Sequence, residues 1–85
     1  MQPEDMFRKA NESIAAKARE LGMESPIPFL CECSDTRCLG RVPLSIEAYG
    51  EARAAPQRYL TITGHEVEGA SLVEQDGHFA LVEKL

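Results

Sequence analysis

Cys31, Cys33 and Cys38 are all the cysteines in the chain, and they fall within one eight-residue stretch, Cys31-Glu32-Cys33-Ser34-Asp35-Thr36-Arg37-Cys38. Thiolates at C-x-C-x4-C spacing suit a single soft divalent cation. A turned backbone lets the first two ligate together, and the polar run Ser34 to Arg37 lets the chain double back to offer the third. Gly40 is expected to permit the tight exit from that loop. An odd number of clustered cysteines cannot form a self-contained disulfide framework. The chemistry predicted is a zinc knuckle: one structural Zn2+ and no catalytic residue.

A closed zinc site takes four ligands. The fourth must come from His65 or His78, each of which follows a glycine. His78 abuts an expected turn, where a polar side chain needs no metal to explain it. His65, in Gly64-His65-Glu66, lies just past an expected strand, where a loop could carry an imidazole to the knuckle; it is the expected ligand, with His78 the alternative.

Other chemistries stay open at this point. If neither histidine reached the metal, three protein ligands and a water would make a zinc hydrolase, with Glu32, Asp35 or Glu66 as general base. Three cysteines and one histidine also serve iron-sulfur clusters. A nucleophilic thiol would need a base beside it, and nothing singles out one of the three cysteines.

The elements that must position these residues are readable from periodicity. From Glu4 to Leu21, Met6, Phe7, Ala10, Ile14, Ala18 and Leu21 recur mostly at steps of three and four, which predicts an amphipathic helix with these residues on its apolar stripe. Pro3 suits its first turn, Glu4 and Asp5 complement its positive end, and Gly22 is placed to cap it. Met23 to Pro28 reads as an extended linker, and Arg41 to Leu44 as a short strand that Pro43 confines to an edge. Ser45 is a good N-cap for a short second helix through Ile46, Tyr49, Ala52 and Arg53, ending at Pro56. Tyr59 to Thr63 reads as a strand. Ala70 to Gln75 and His78 to Glu83 flank Asp76-Gly77, predicting a hairpin with a two-residue type I′ turn, apolar and covered on both faces.

Composition bounds the rest. At 85 residues the chain is one domain, 1–85, divided into an N-terminal helix (1–22), a zinc subdomain (29–65) and a β-hairpin (70–84). A domain this size buries only about 60 to 65% of its unfolded surface, so a metal would supply stability that the core lacks. A net charge of -5 repels a phosphate backbone. Arg37, Arg41, Arg53 and Arg58 give only a thin footprint for a nucleic-acid-binding regulator. No apolar run is long enough to span a membrane, and the acidic start Met1-Gln2-Pro3-Glu4-Asp5 lacks the order of an export signal, so the expected location is the cytoplasm, where thiols stay reduced. Tyr49 and Arg53, four apart on one helix face, could pack by cation-π contact. The expected reading is a tyrosine packed on the zinc subdomain with its arginine at the rim; the alternative is an anion or peptide contact patch of Tyr49, Arg53 and Arg58.

Three resemblances bear on the cysteines. Cys31 to Gly40 resembles the post-SET zinc motif of histone lysine methyltransferases, which takes a fourth ligand from elsewhere, although Leu39 stands where that motif usually has arginine. The C-x-C start with Thr36 resembles the iron-sulfur motif of CDGSH proteins, whose third cysteine lies further on and whose histidine follows closely, unlike His65. Phe29 to His65 resembles a family of short bacterial proteins, frequent in actinobacteria, with an F-x-C-E-C phrase, a third cysteine, a Leu-Ser/Thr helix start and a closing G-H-E. The likeness is carried by Phe29, Cys31, Glu32, Cys33, Cys38, Leu44, Ser45, Tyr49, Arg53, Pro56, Arg58, Gly64, His65 and Glu66, with Phe7-Arg8, Asn11-Glu12 and Ile14 before them. Ala48 and Tyr59 depart from it, where glutamate and phenylalanine are usual. The last resemblance implies a zinc site of Cys31, Cys33, Cys38 and His65, and no established activity.

The expectation is an α+β domain in which two helices pack on a small antiparallel sheet around one zinc knuckle. Its expected role is protein recognition or regulation, with another protein as partner. Docking of the Met6, Phe7 and Ile14 stripe on a second copy would make it a homo-oligomer.

Overall fold

The computed structural model describes residues 2–84; Met1 and Leu85, included in the expected 1–85 span, lie outside the described residues. The order is α1 (Pro3–Glu20), β1 (Ile27–Leu30), β2 (Arg41–Leu44), α2 (Ile46–Ala52), β3 (Arg58–Ile62), β4 (Ala70–Gln75) and β5 (Phe79–Lys84). The fold is α+β. β1 and β2 form one antiparallel pair, and β3-β5-β4 form a second antiparallel sheet with β5 in the middle.

Local chemistry explains the boundaries. Pro3 occupies the first turn of α1, and Gly22, at φ 65°, closes its end. There the Gly22 amide donates to Arg19 O and the Met23 amide to Ala18 O, which satisfies carbonyls the helix leaves free. The Ser45 hydroxyl accepts from the Ala48 amide at 3.1 Å to start α2. α2 stops at Ala52, short of Pro56.

Part of the expected linker is strand β1. Pro28 pairs with Pro43 across the ladder, where neither missing N–H is needed. The expected stripe on α1 is rotated: its buried residues are Glu4, Asn11, Ala15 and Ala18, while Met6 and Leu21 are exposed. Two polar side chains take core positions because each finds partners there, as the metal centre makes plain.

The main core lies between α1, α2 and both sheets, with Phe29, Val42, Tyr49, Leu60 and Leu81 at its centre. Phe29 and Tyr49 stack with ring centroids 4.2 Å apart. On the other face of the three-stranded sheet, Tyr59, Val67 and Val82 form a smaller cluster. The central strand β5 is therefore covered on both faces, as expected of the hairpin. β4 is not: Leu72 is 57% exposed and Val73 46%.

The hairpin turn also differs from expectation. Asp76 pairs with Phe79, so the loop is Gly77-His78, and Gly77 does not adopt the positive φ a type I′ turn requires. The Asp76 carboxylate explains this by accepting from the amides of His78 at 2.7 Å and Phe79 at 3.0 Å, which holds a turn of the ordinary hand. A bulge between Leu72 and Glu74 sets Leu72 opposite Val82 and Glu74 opposite Leu81, so Leu72 does not share the face of Phe79 and Leu81.

Candidate metal centre

The cysteines are placed by the ends of the β1-β2 ladder. One step beyond Leu30, the Cys31 amide donates to Gly40 O at 3.1 Å, which continues the pairing. The loop between then turns on itself: the Cys38 amide donates to Asp35 O, and the Asp35 carboxylate accepts from the Arg37 amide at 2.9 Å. Gly40 does not take a positive φ, and a Cβ there would meet the tip of the Ile62 side chain, which would have to turn aside. His65 arrives from the end of β3. Gly64 takes φ 90° and the His65 amide closes on Ile62 O at 2.9 Å, a turn that brings the imidazole to the cysteines.

The ligand atoms of Cys31, Cys33, Cys38 and His65 all lie within 4.8 Å of one another. His65 Nδ1 is 3.6 Å from the sulfurs of both Cys31 and Cys38. Tetrahedral geometry with Zn–S about 2.3 Å and Zn–N about 2.05 Å sets sulfur and nitrogen about 3.6 Å apart. The four side chains are thus positioned to bind a metal ion, His65 through Nδ1. His78, on the hairpin loop, is not among them.

Cys31 and Cys33 are buried, Cys38 is half-buried and His65 is exposed, so the centre opens to solvent on the side of Cys38 and His65. Burial raises the Cys31 thiol well above its ordinary range, against a hydrogen bond from the Ile62 amide at 3.2 Å, and its sulfur neighbours raise it further. Burial raises Cys33 as well. A metal ion must therefore displace protons, and its charge supplies what holds three thiolates together. No disulfide joins the three.

Extended backbone alternates its side chains, so Glu32 points away from its two cysteine neighbours and into the core. It is fully buried and fully engaged. Its carboxylate accepts from Asn11 Nδ2 at 2.7 Å, the Leu60 amide at 2.9 Å, the Tyr49 hydroxyl at 3.0 Å and Arg53 at 3.3 Å. Its own amide donates to Leu60 O at 2.7 Å. One carboxylate thus ties the knuckle to α1, α2 and β3. Burial pushes the Glu32 carboxyl up, while the donors from Asn11, Leu60 and Tyr49 pull it down. Burial, then the Glu32 charge, pushes the Tyr49 phenol up.

This network draws the candidate patch of Tyr49, Arg53 and Arg58 inward. Tyr49 is 2% exposed and Arg53 is turned onto Glu32 and the Arg58 carbonyl, so neither offers a surface for a partner. Arg58 pairs with Glu83 at 3.4 Å. The cation-π contacts fall on Tyr59 and not on Tyr49: Arg8 and Lys84 lie 5.3 Å and 5.2 Å from the Tyr59 centroid, and Arg53 approaches it at 6.0 Å. Of the four arginines considered for nucleic acid, Arg37 pairs with Asp35, Arg53 with the buried Glu32 and Arg58 with the half-exposed Glu83.

A second polar hub was not foreseen. Ser34, inside the knuckle loop, donates from its amide to Glu66 O at 3.0 Å, accepts at its hydroxyl from the Glu68 amide at 2.8 Å, and donates that hydroxyl to Glu4 at 3.1 Å. Glu4 in turn pairs with Lys84 at 2.7 Å. Burial pushes the Glu4 carboxyl up, but Lys84, its own backbone amide and Ser34 outweigh it and hold the carboxyl below its ordinary range. Ser34 and Glu4 carry no motif, and Asn11 entered only through the phrase resembling the short bacterial family, which gives it no role.

Comparison with protein-family models, with curated proteins and with solved structures finds no match for this chain.

Proposed function

We propose that this is a small zinc-binding module whose metal is structural and whose role is recognition of another protein. The observation that carries the reading is the three-sulfur, one-nitrogen constellation, whose 3.6 Å sulfur–nitrogen spacings suit zinc in a closed tetrahedron. Four protein ligands leave no coordination position for a reacting water. Glu32, the carboxylate nearest in sequence to the cysteines, is held inside the core by four donors and cannot serve as general base. Both points favour a structural metal over a hydrolytic one. A cytoplasmic setting fits the reading, since reduced thiols are needed to hold the ion. Membership of the short bacterial F-x-C-E-C proteins belongs to the same proposal, with Cys31, Cys33, Cys38 and His65 as the ligand set.

Cobalt substitution tests it. The expected spectrum is that of a four-coordinate ion with three sulfurs and one nitrogen. A coordinated water, or a six-coordinate ion, would overturn the structural assignment in favour of hydrolysis. A coloured protein as purified, carrying iron and labile sulfide in place of zinc, would return the site to iron-sulfur chemistry.

A further inference from the structure

The segment Gly64 to Gly69 has the metal centre on one side and, on the other, a cleft of about 400 Å³. The floor of the cleft is apolar, from Ala70, Leu72, Ala80 and Val82 on the sheet and Val67 in the segment itself. Its rim is acidic, from Glu66 and Glu68, both exposed. Neither forms an ion pair among the described residues.

Beside the cleft runs the free edge of β4. The Lys84 amide donates to Gln57 O, so the backbone of Lys84, and by alternation that of Val82 and Ala80, faces β3. Glu83 and Leu81 therefore bond β4 through Ser71 and Glu74, while the N–H and C=O groups of Leu72 and Gln75 point outward. Every residue from Ser71 to His78 is exposed; β4 has neither the lysine nor the proline that commonly protects an edge, and its one interruption is the bulge between Leu72 and Glu74, which sets the outward groups of Leu72 and Gln75 three residues apart.

We infer that β4 and the adjoining cleft bind an extended, basic segment of a partner protein, which adds a strand to the sheet and sets alternate apolar side chains in the cleft. This rests on the recognition reading above and names its surface and its ligand class. Main-chain bonds to Leu72 and Gln75 would give affinity, and the cleft would select side chains. The unpaired Glu66 and Glu68 choose a cationic partner over a second copy of this chain, whose net charge is -5 and whose own acidic rim would face them.

The metal governs this surface. One wall of the cleft begins at the ligand His65, and its backbone is fastened to the knuckle through Ser34 at Glu66 O and the Glu68 amide. Losing the ion frees His65 and the loop bearing Ser34, and with them the wall. Binding of the segment is therefore metal-dependent.

The probe is a fluorescein-labelled nonapeptide with valine and lysine in turn at its odd positions and serine at its even ones, so that both fall on the strand face turned to the cleft, followed by polarisation with the zinc-loaded full chain. The expected results are binding at least about tenfold tighter than that of the same peptide with glutamate for lysine, and a loss of about tenfold in Glu66→Gln/Glu68→Gln, whose backbone bonds to Ser34 are untouched. N-methylation of alternate peptide amides on the bonding edge should abolish binding, and so should chelation of the zinc. Equal affinity for the two peptides, indifference to the double substitution or to N-methylation, or full binding by the metal-free protein would each overturn the inference. If the zinc is held by three sulfurs and one nitrogen but the basic peptide does not bind, this inference falls and the zinc-module reading stands. If the cluster takes no metal, the zinc-module reading falls, and the metal dependence inferred here falls with it.

Discussion

Asn11 pairs with Leu30 as a neighbouring strand would, donating from Nδ2 to the Leu30 carbonyl at 2.9 Å and accepting from the Leu30 amide at 2.7 Å. Pro28↔Pro43 and Leu30↔Arg41 share the outward phase of the β1-β2 ladder, so Leu30's backbone groups would otherwise be stranded beneath α1. The same amide nitrogen donates to Glu32, so a single helical residue satisfies both an edge and a buried carboxylate. Asn11→Ala should destabilise the zinc-loaded protein by about 2 to 3 kcal/mol, because it strands partners already out of water. Asn11→Asp should be no better, since it replaces a donor facing Glu32 with a second charge. Denaturant unfolding of the two variants checks this.

Glu32→Ala should cost about 3 to 5 kcal/mol, the range for breaking a buried ion pair, since Arg53 would keep only the exposed Glu12 at 3.8 Å. Glu32→Gln keeps the shape but loses the charge and should fall between the variant and the native chain. Thermal melts at fixed zinc concentration give the ranking, and equal melting of the three proteins would contradict the network.

His65→Ala should weaken zinc retention against a chromophoric chelator by at least about a hundredfold, more than outer-shell substitutions usually cost. His78→Ala should leave retention unchanged, since His78 lies outside the ligand cluster. Equal loss in both would refute the ligand set. A strong chelator should also loosen the native chain and lower its melting temperature, because at such sites binding energy contributes to folding energy.

The Glu4–Lys84 pair predicts a pH signature. Glu4 is held below its ordinary value of 4.5, so its contribution is fully present above pH 4.5 and is lost as pH falls through the lower folded value. The Lys84 amine is held above 10.5, chiefly by its bond to Glu4, so its contribution is present below pH 10.5 and is lost as pH rises through the higher folded value. Glu4→Gln should remove the acid-side loss specific to this residue and lower stability near neutrality by about 1 to 3 kcal/mol. Parallel pH titrations of stability in native and variant chains decide it.

Thr61 lies fully buried in β3 with no hydrogen-bond partner for its hydroxyl among the described residues. Thr61→Val, similar in shape and favoured in strands, should raise stability by about 1 kcal/mol. A loss on this substitution would mean that the hydroxyl has a partner, such as an ordered water.

The cysteine spacing, the capping glycine of α1, the N-cap of α2 and the strand ending at Gly64-His65 were legible because each depends on local chemistry. The rotation of α1 was not, because counting apolar side chains gives no weight to a buried Asn11 or Glu4 whose partners lie far along the chain. Tyr49 and Arg53 were legible as a pair on one helix face, but their direction depended on a carboxylate 17 and 21 residues away. The hairpin was legible as a hairpin; its turn was shifted by one residue because the Asp76 side chain competes for the amides that a primed turn would leave free.

Among the described residues the two sheets share no ladder, and the backbone bond from Glu32 to Leu60 links the end of one to the other. The knuckle stands at that seam, taking Cys31 and Cys38 from one side and His65 from the other. Mechanically it is a rivet between two panels, so its removal is felt less in the stiffness of either panel than in the angle between them. Pulled or heated without the ion, the molecule should part along this line, with each sheet still partly formed while their relative orientation wanders.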